Sequence, residues 1–96
     1  MDERRDVDDM DDTRTSARDD AATESAVLQH VLALHPAQVT VGELTREVSG
    51  APDEFAGRDA IERAVRDLAG AGLLHSHDSF VLPTRAALRF DELLNR

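Results

Sequence analysis

Between Arg58 and Thr84 the chain reads RDAIERAVRDLAGAGLLHSHDSFVLPT, an amphipathic helical pattern that runs into glycines and then into two short apolar segments. Ile61, Ala64, Val65 and Leu68 recur at i, i+3, i+4 and i+7, the spacing that puts side chains on one face of a helix. Charged residues occupy the opposite face. Gly70 and Gly72 permit the positive φ that closes a helix and are disfavoured inside one, so the helix is predicted to stop near Ala69. Leu73, Leu74 and His75, then the polar loop Ser76, His77, Asp78 and Ser79, then Phe80, Val81 and Leu82 read as a β-hairpin. Pro83 has no N–H for a ladder and ends the second strand.

A chain of 96 residues makes one small domain. Such a domain buries roughly 60% of the surface its unfolded chain exposes, so a binding surface is expected in place of a deep enzyme cleft. No cysteine is present, which removes disulfides, thiolate metal sites and cysteine catalysis. No Ser, His and Asp arrangement or glycine-rich phosphate loop has supporting motif context, so neither enzyme activity nor a cofactor is expected. No apolar run approaches the ~20 residues of a membrane span, and the first residues are acidic. A soluble, cytoplasmic protein is predicted. All eleven basic residues are arginine and none is lysine, which points to genomic base composition.

Composition changes near residue 21. Residues 1–20 hold nine Asp or Glu against four Arg, a net charge of 4 − 9 = −5, with little apolar beyond Met1, Val7, Met10 and Ala17. Such a segment buries too little to offset its ordering entropy and is read as an acidic disordered tail on a domain spanning residues 21–96. The plain view is a solvating leader or a misplaced start codon. The sharper view is that the tail imitates nucleic-acid charge and competes for a basic surface.

Ala22 to His35 forms a first predicted helix carrying Val27, Leu28, Val31, Leu32 and Leu34, closed before Pro36. Ala37 to Thr40 is a short strand, favoured by β-branched Val39 and Thr40. Thr40 and Glu43 match a capping box for a helix from Val41 to about Val48, with Leu44 and Val48 inward. Ser49, Gly50 and Pro52 break that helix, and Phe55 is expected to anchor the connection. A last helix follows Thr84 as N-cap, with Ala87, Phe90 and Leu94 on one face and Arg85, Arg89 and Glu92 mostly outside. The predicted fold is mainly α with a small β-hairpin, in the order α-β-α-α-β-β-α.

That order, the capped second helix at Thr40 to Val48, the helix end Leu68-x-x-x-Gly72-Leu73-Leu74 and the strand Phe80-Val81-Leu82-Pro83-Thr84 together resemble a winged helix-turn-helix domain. The pattern is similar to small bacterial repressors of the MarR, ArsR and PadR types and to short winged-helix proteins of high-GC actinobacteria. The resemblance spans about residues 22 to 95. It implies a small transcriptional regulator that binds double-stranded DNA, with the third helix in the major groove and the hairpin wing on the backbone or minor groove. Under that implication Arg58, Arg63 and Arg66 project from the third helix, where arginine forks suit guanine edges and phosphates. His75, Ser76, His77 and Ser79 form the wing, and Arg46 on the second helix holds phosphate. Two features depart from the pattern. The link Ser49 to Gly57 exceeds the ~3–4 residue turn of a compact helix-turn-helix, and the chain is acidic.

The competing reading of the same arginines is a solvated, salt-bridged face. Asp59 and Arg63, Glu62 and Arg66, and Arg63 and Asp67 are each four apart, and three arginines against three acids leave that helix with zero net charge. Residues 21–96 contain eleven acids and seven arginines, a net of 7 − 11 = −4, which opposes nonspecific DNA affinity. His75-x-His77 with Asp78 offers too few ligands for a metal site, and none is assigned. The alternative function is a protein interaction or dimerisation module that does not bind DNA. Leu88, Phe90, Leu93 and Leu94 make the last helix broadly apolar, which suits a homodimer as well as packing in the core.

Overall fold

The computed structural model describes residues 19–49 and 55–95. The elements are α1 (residues 19–34), β1 (Val39–Thr40), α2 (Val41–Leu44) continued by a π-helical turn (Thr45–Ser49), α3 (Phe55–Gly70), β2 (Leu74–His77), β3 (Phe80–Pro83) and α4 (Arg85–Leu94). The fold is mainly helical with one small three-stranded antiparallel sheet in the order β1-β3-β2. The connection through residues 50–54, the side chain of Phe55 and the acidic segment 1–18 lie outside the described residues.

α1 includes Asp19 and Asp20, the last two residues of the acidic stretch 1–20. Acidic side chains near a helix N-terminus oppose the positive end of its dipole, and Ala21 and Ala22 are strong helix formers. The helix ends at residue 34 because His35 precedes Pro36, which disfavours the helical region for the residue before it.

The capping box at Thr40 is present. The Glu43 N–H donates to Thr40 Oγ1 at 3.1 Å, and the Thr40 hydroxyl lies 3.4 Å from Glu43 Oε1. The helix it starts is not α-helical to Val48 as the spacing predicts. It widens into a π-turn at Thr45, whose buried hydroxyl donates to the Val41 carbonyl at 2.8 Å while its own N–H turns to the same carbonyl and to that of Gly42. A hydroxyl that bonds back four residues loosens the α ladder at that point. Leu44 is buried, and Val48 packs half-buried against the core.

α3 ends one residue beyond the predicted stop, in a Schellman arrangement. The Leu73 N–H donates to the Leu68 carbonyl at 2.9 Å and the Gly72 N–H to the Ala69 carbonyl at 3.0 Å, with Gly72 at φ 85°. Gly70 remains helical, so Gly72 is the glycine that the turn requires. The hairpin is tighter than the four-residue loop predicted. Ser76 and His77 belong to β2, and the turn is Asp78–Ser79, with φ 48° and 72°, the pair of positive values a type I′ turn needs. His77 pairs with Phe80, Ser76 with Val81, His75 with Leu82 and Leu74 with Pro83. Counting alternately from the turn, Pro83 sits in a non-hydrogen-bonded pair with β2, and β1 ends before reaching it, so its missing N–H leaves no ladder bond unmade.

The core is made by Val27 and Val31 of α1, Val39, Leu44, the predicted α3 stripe Ile61, Ala64, Val65 and Leu68, then Leu74 and Val81. Strand alternation puts Val39, Val81, Leu74 and Ser76 on the inner face of the sheet, and Thr40, Phe80, Leu82, His75 and His77 on the outer one. Thr84 caps α4 as expected: its hydroxyl oxygen accepts from the Ala87 N–H at 3.1 Å and its hydroxyl donates to the Gly72 carbonyl at 2.7 Å. Beyond that first turn the expectation for α4 is corrected. Ala87 is buried, but Phe90, Leu93 and Leu94 are 59%, 51% and 67% exposed. α4 is tied at its start to β3 and to the α3 turn, and the face carrying Phe90, Leu93 and Leu94 is left uncovered. Among the described residues no helix is long and apolar enough to cross a membrane.

Candidate nucleic-acid interface

With Ile61, Ala64, Val65 and Leu68 packed into the core, α3 turns Arg58, Asp59, Glu62, Arg63, Arg66 and Asp67 to solvent. The charges pair differently from the spacing predicted. Glu62 reaches back to Arg58, with Nε and Oε1 3.0 Å apart, and not forward to Arg66. Arg63 leaves α3 altogether and meets Asp20 of α1, Nη2 to Oδ1 at 3.7 Å, beside a narrow gap lined also by Thr23, Glu24, Ala60 and Asp67. A pairing between separate helices has no signature in helical spacing, so the role of Asp20 cannot be read along the chain. Among the described residues no ion pair holds Arg66 or Arg46.

All eight predicted contact residues, Arg46, Arg58, Arg63, Arg66, His75, Ser76, His77 and Ser79, are exposed. The fold does not gather them at one place. Arg66 and Ser76 come together in an open cleft of about 350 Å³ between α3, β2 and the start of α2, lined by Val41, Glu62, Val65, Arg66, Ala69 and Ser76. Ser76 sits there because its register opposite Val81 points it to the inner face of the sheet, beyond the covered part of the core. His75 and His77 stand on the other face. His77 Nε2 lies 3.3 Å from Asp78 Oδ2, a contact that becomes ionic only with a protonated imidazole. Ser79 uses its carbonyl to accept from the Val41 N–H at 3.0 Å, so it fastens the hairpin turn to the start of α2. Arg46 projects from the π-turn. Among the described residues no group of three or more His, Asp or Glu is arranged to hold a metal ion.

The cleft thus joins the Arg66 guanidinium, a hydroxyl and an apolar floor. Chemically it can fork onto a phosphate or a base edge, with Glu62 as the like-charged obstacle on its rim. A second open groove, about 840 Å³, runs between α1 and α4, with Leu32 and Leu88 beneath His35, Arg85 and Arg89. The chain matches no family model, no curated protein and no solved structure.

Proposed function

We propose that the chain is a winged-helix domain, α1-β1-α2-α3-β2-β3-α4 with the β2–β3 hairpin as its wing, and that it acts as a small cytoplasmic transcriptional regulator binding double-stranded DNA. The observation that carries this reading is the cleft where Arg66 of α3 and Ser76 of the hairpin meet, with no acid paired to Arg66 among the described residues. A helix of about 10–12 Å diameter fits the major groove, about 12 Å wide, and the free face of α3 is the side not spent on the core. Contact then centres on Arg66, with Ser76 and Arg46 on the backbone and Arg63 joining once it leaves Asp20. His75 and His77, on the far face of the sheet, contribute least.

A net charge of −9 makes this a weak nonspecific binder, with recognition resting on local contacts. Retention of a random duplex pool at low salt is the test. Counting Arg46, Arg63 and Arg66, log affinity should fall against log salt with a slope of about −2 to −3, and Arg66→Ala should reduce the slope by about one. Absence of duplex retention at low salt overturns the reading.

A specific observation also favours the alternative, an interaction module. Phe90, Leu93 and Leu94 lie exposed at i, i+3 and i+4 on α4. The partner that fits is a second copy. A two-fold axis would set this patch against the same patch of the second copy, with Arg89 kept on Glu92 of its own helix at 3.4 Å.

A further inference from the structure

The open edge of the sheet and both hairpin imidazoles belong to the same strand. β2 has β3 on one side and, among the described residues, no strand on the other. The two-residue turn makes His77 and Phe80 a hydrogen-bonded pair, so alternation leaves Ser76, opposite Val81, with its N–H and C=O turned to the open edge. His75 and His77 flank Ser76 and share the outer face of the sheet, both exposed, about 6.8 Å apart along the strand. The strand Leu74–His77 carries none of the lysines, acids or prolines by which edge strands ward off a second chain.

We propose that two copies of the chain pair edge to edge through β2 around a divalent transition metal of the zinc type, held by His75 and His77 of each copy. A two-fold register centred on Ser76 lets the two Ser76 residues exchange N–H···O=C bonds. It also sets His75 of each copy opposite His77 of the other in a non-hydrogen-bonded pair, where Cα atoms approach to about 4.5 Å. Four imidazoles then stand on one face of the joined sheet, and imidazole is a preferred ligand of zinc and its neighbours. Antiparallel pairing sends the two bodies to opposite ends of the ladder, so the hairpins meet and the helices stay apart. Within one chain no group of three donors forms among the described residues, so the ion and the second copy bind together. Asp78 orients the set. Its Oδ2 lies 3.3 Å from His77 Nε2, and a carboxylate there favours the proton on Nε2 and leaves Nδ1 as the metal donor. The ladder is short, so edge pairing without the ion is weak. This site uses neither the α3 cleft nor the apolar face of α4, and it stands apart from both readings of those surfaces.

The test uses the full chain and Zn²⁺ alone, with sedimentation in chelator and across a zinc series. Zinc should convert monomer to dimer with one ion bound per two chains, and the Ser76 amide should exchange more slowly in that dimer. The double change His75→Ala and His77→Ala, at two exposed positions, should abolish the zinc-dependent step. Phe90→Ser with Leu94→Ser should leave it in place. A chain that stays monomeric in zinc, or binds one ion per chain, overturns the proposal. So does zinc-dependent association that survives in the histidine variant, which assigns the ion to carboxylates elsewhere, or that is lost in the Phe90 and Leu94 variant, which assigns it to α4. A zinc-bound dimer whose Ser76 amide exchanges as fast as in the monomer overturns the edge pairing.

Discussion

α3 and α4 carry the same kind of amphipathic pattern and finish with opposite surfaces. α3 delivers Ile61, Ala64, Val65 and Leu68 to the core and shows water a row of paired and unpaired charges. α4 delivers only Ala87 and shows water Phe90, Leu93 and Leu94. The difference is one of position and not of sequence pattern. α3 lies across α2 and β2, so the whole of its apolar stripe finds neighbours, while α4 is held at its first turn by Thr84 and by β3, lies beside α1 through the groove at Leu32 and Leu88, and leaves Phe90, Leu93 and Leu94 on a face that stays exposed. An apolar stripe records that a helix has something to bury. It does not record whether its own domain supplies the cover.

The largest expected effect separates the two stripes. Ile61→Ala should cost about 2–5 kcal/mol, the usual range for truncating a fully buried aliphatic side chain, and that is a large share of the ~5–15 kcal/mol total of a small domain. Phe90→Ala, in dilute protein, should cost within about 0.5 kcal/mol, because its side chain is already in water. Urea unfolding of both variants at low concentration makes the comparison. Equal losses would mean that the end of α4 is covered in the isolated chain.

A smaller effect distinguishes an idle apolar face from an interface. Replacing Phe90 and Leu94 together by serine should weaken self-association at least tenfold, about 1.4 kcal/mol, since exposed aromatic anchors are the side chains that dominate contacts of this kind. Sedimentation across a concentration series reads it directly. A wild-type chain that stays monomeric throughout removes the second copy as the partner of α4.

Much of the architecture is legible along the chain because its signals are local. The α3 stripe, the Thr40 and Thr84 caps and the glycine exit at Gly72 each depend on residues within a turn or two, and each is found where spacing puts it. The misses have non-local or finer causes. Thr45 bends α2 into a π-turn through a buried hydroxyl, and the hairpin tightens to Asp78–Ser79 because the sheet register draws Ser76 and His77 into β2. The candidate site is legible as residue types and not as a place. Spacing names Arg63 and Arg66 together, whereas packing turns Arg63 to α1 and Arg66 to the hairpin cleft. Which face of the sheet each hairpin residue occupies follows from register, and a four-residue loop would set that register wrongly.

The smallest effect bears most closely on whether the α3 surface can serve a ligand at all. A double-mutant cycle on Asp20 and Arg63 should give a coupling within about 0.5 kcal/mol, since both side chains are about half exposed and 3.7 Å apart. The Arg58–Glu62 pair, closer at 3.0 Å and four residues apart on one helix, should give about 0.3–0.5 kcal/mol. Both couplings should fade as salt is raised. Values this small would mean that Arg63 gives up little on leaving Asp20, so the charge balance of α3 does not lock its side chains. A coupling above about 1 kcal/mol at the Asp20–Arg63 junction would reverse that conclusion: Arg63 would then be a structural tie between α1 and α3, and the polar face of α3 would hold the domain together just as its apolar face does.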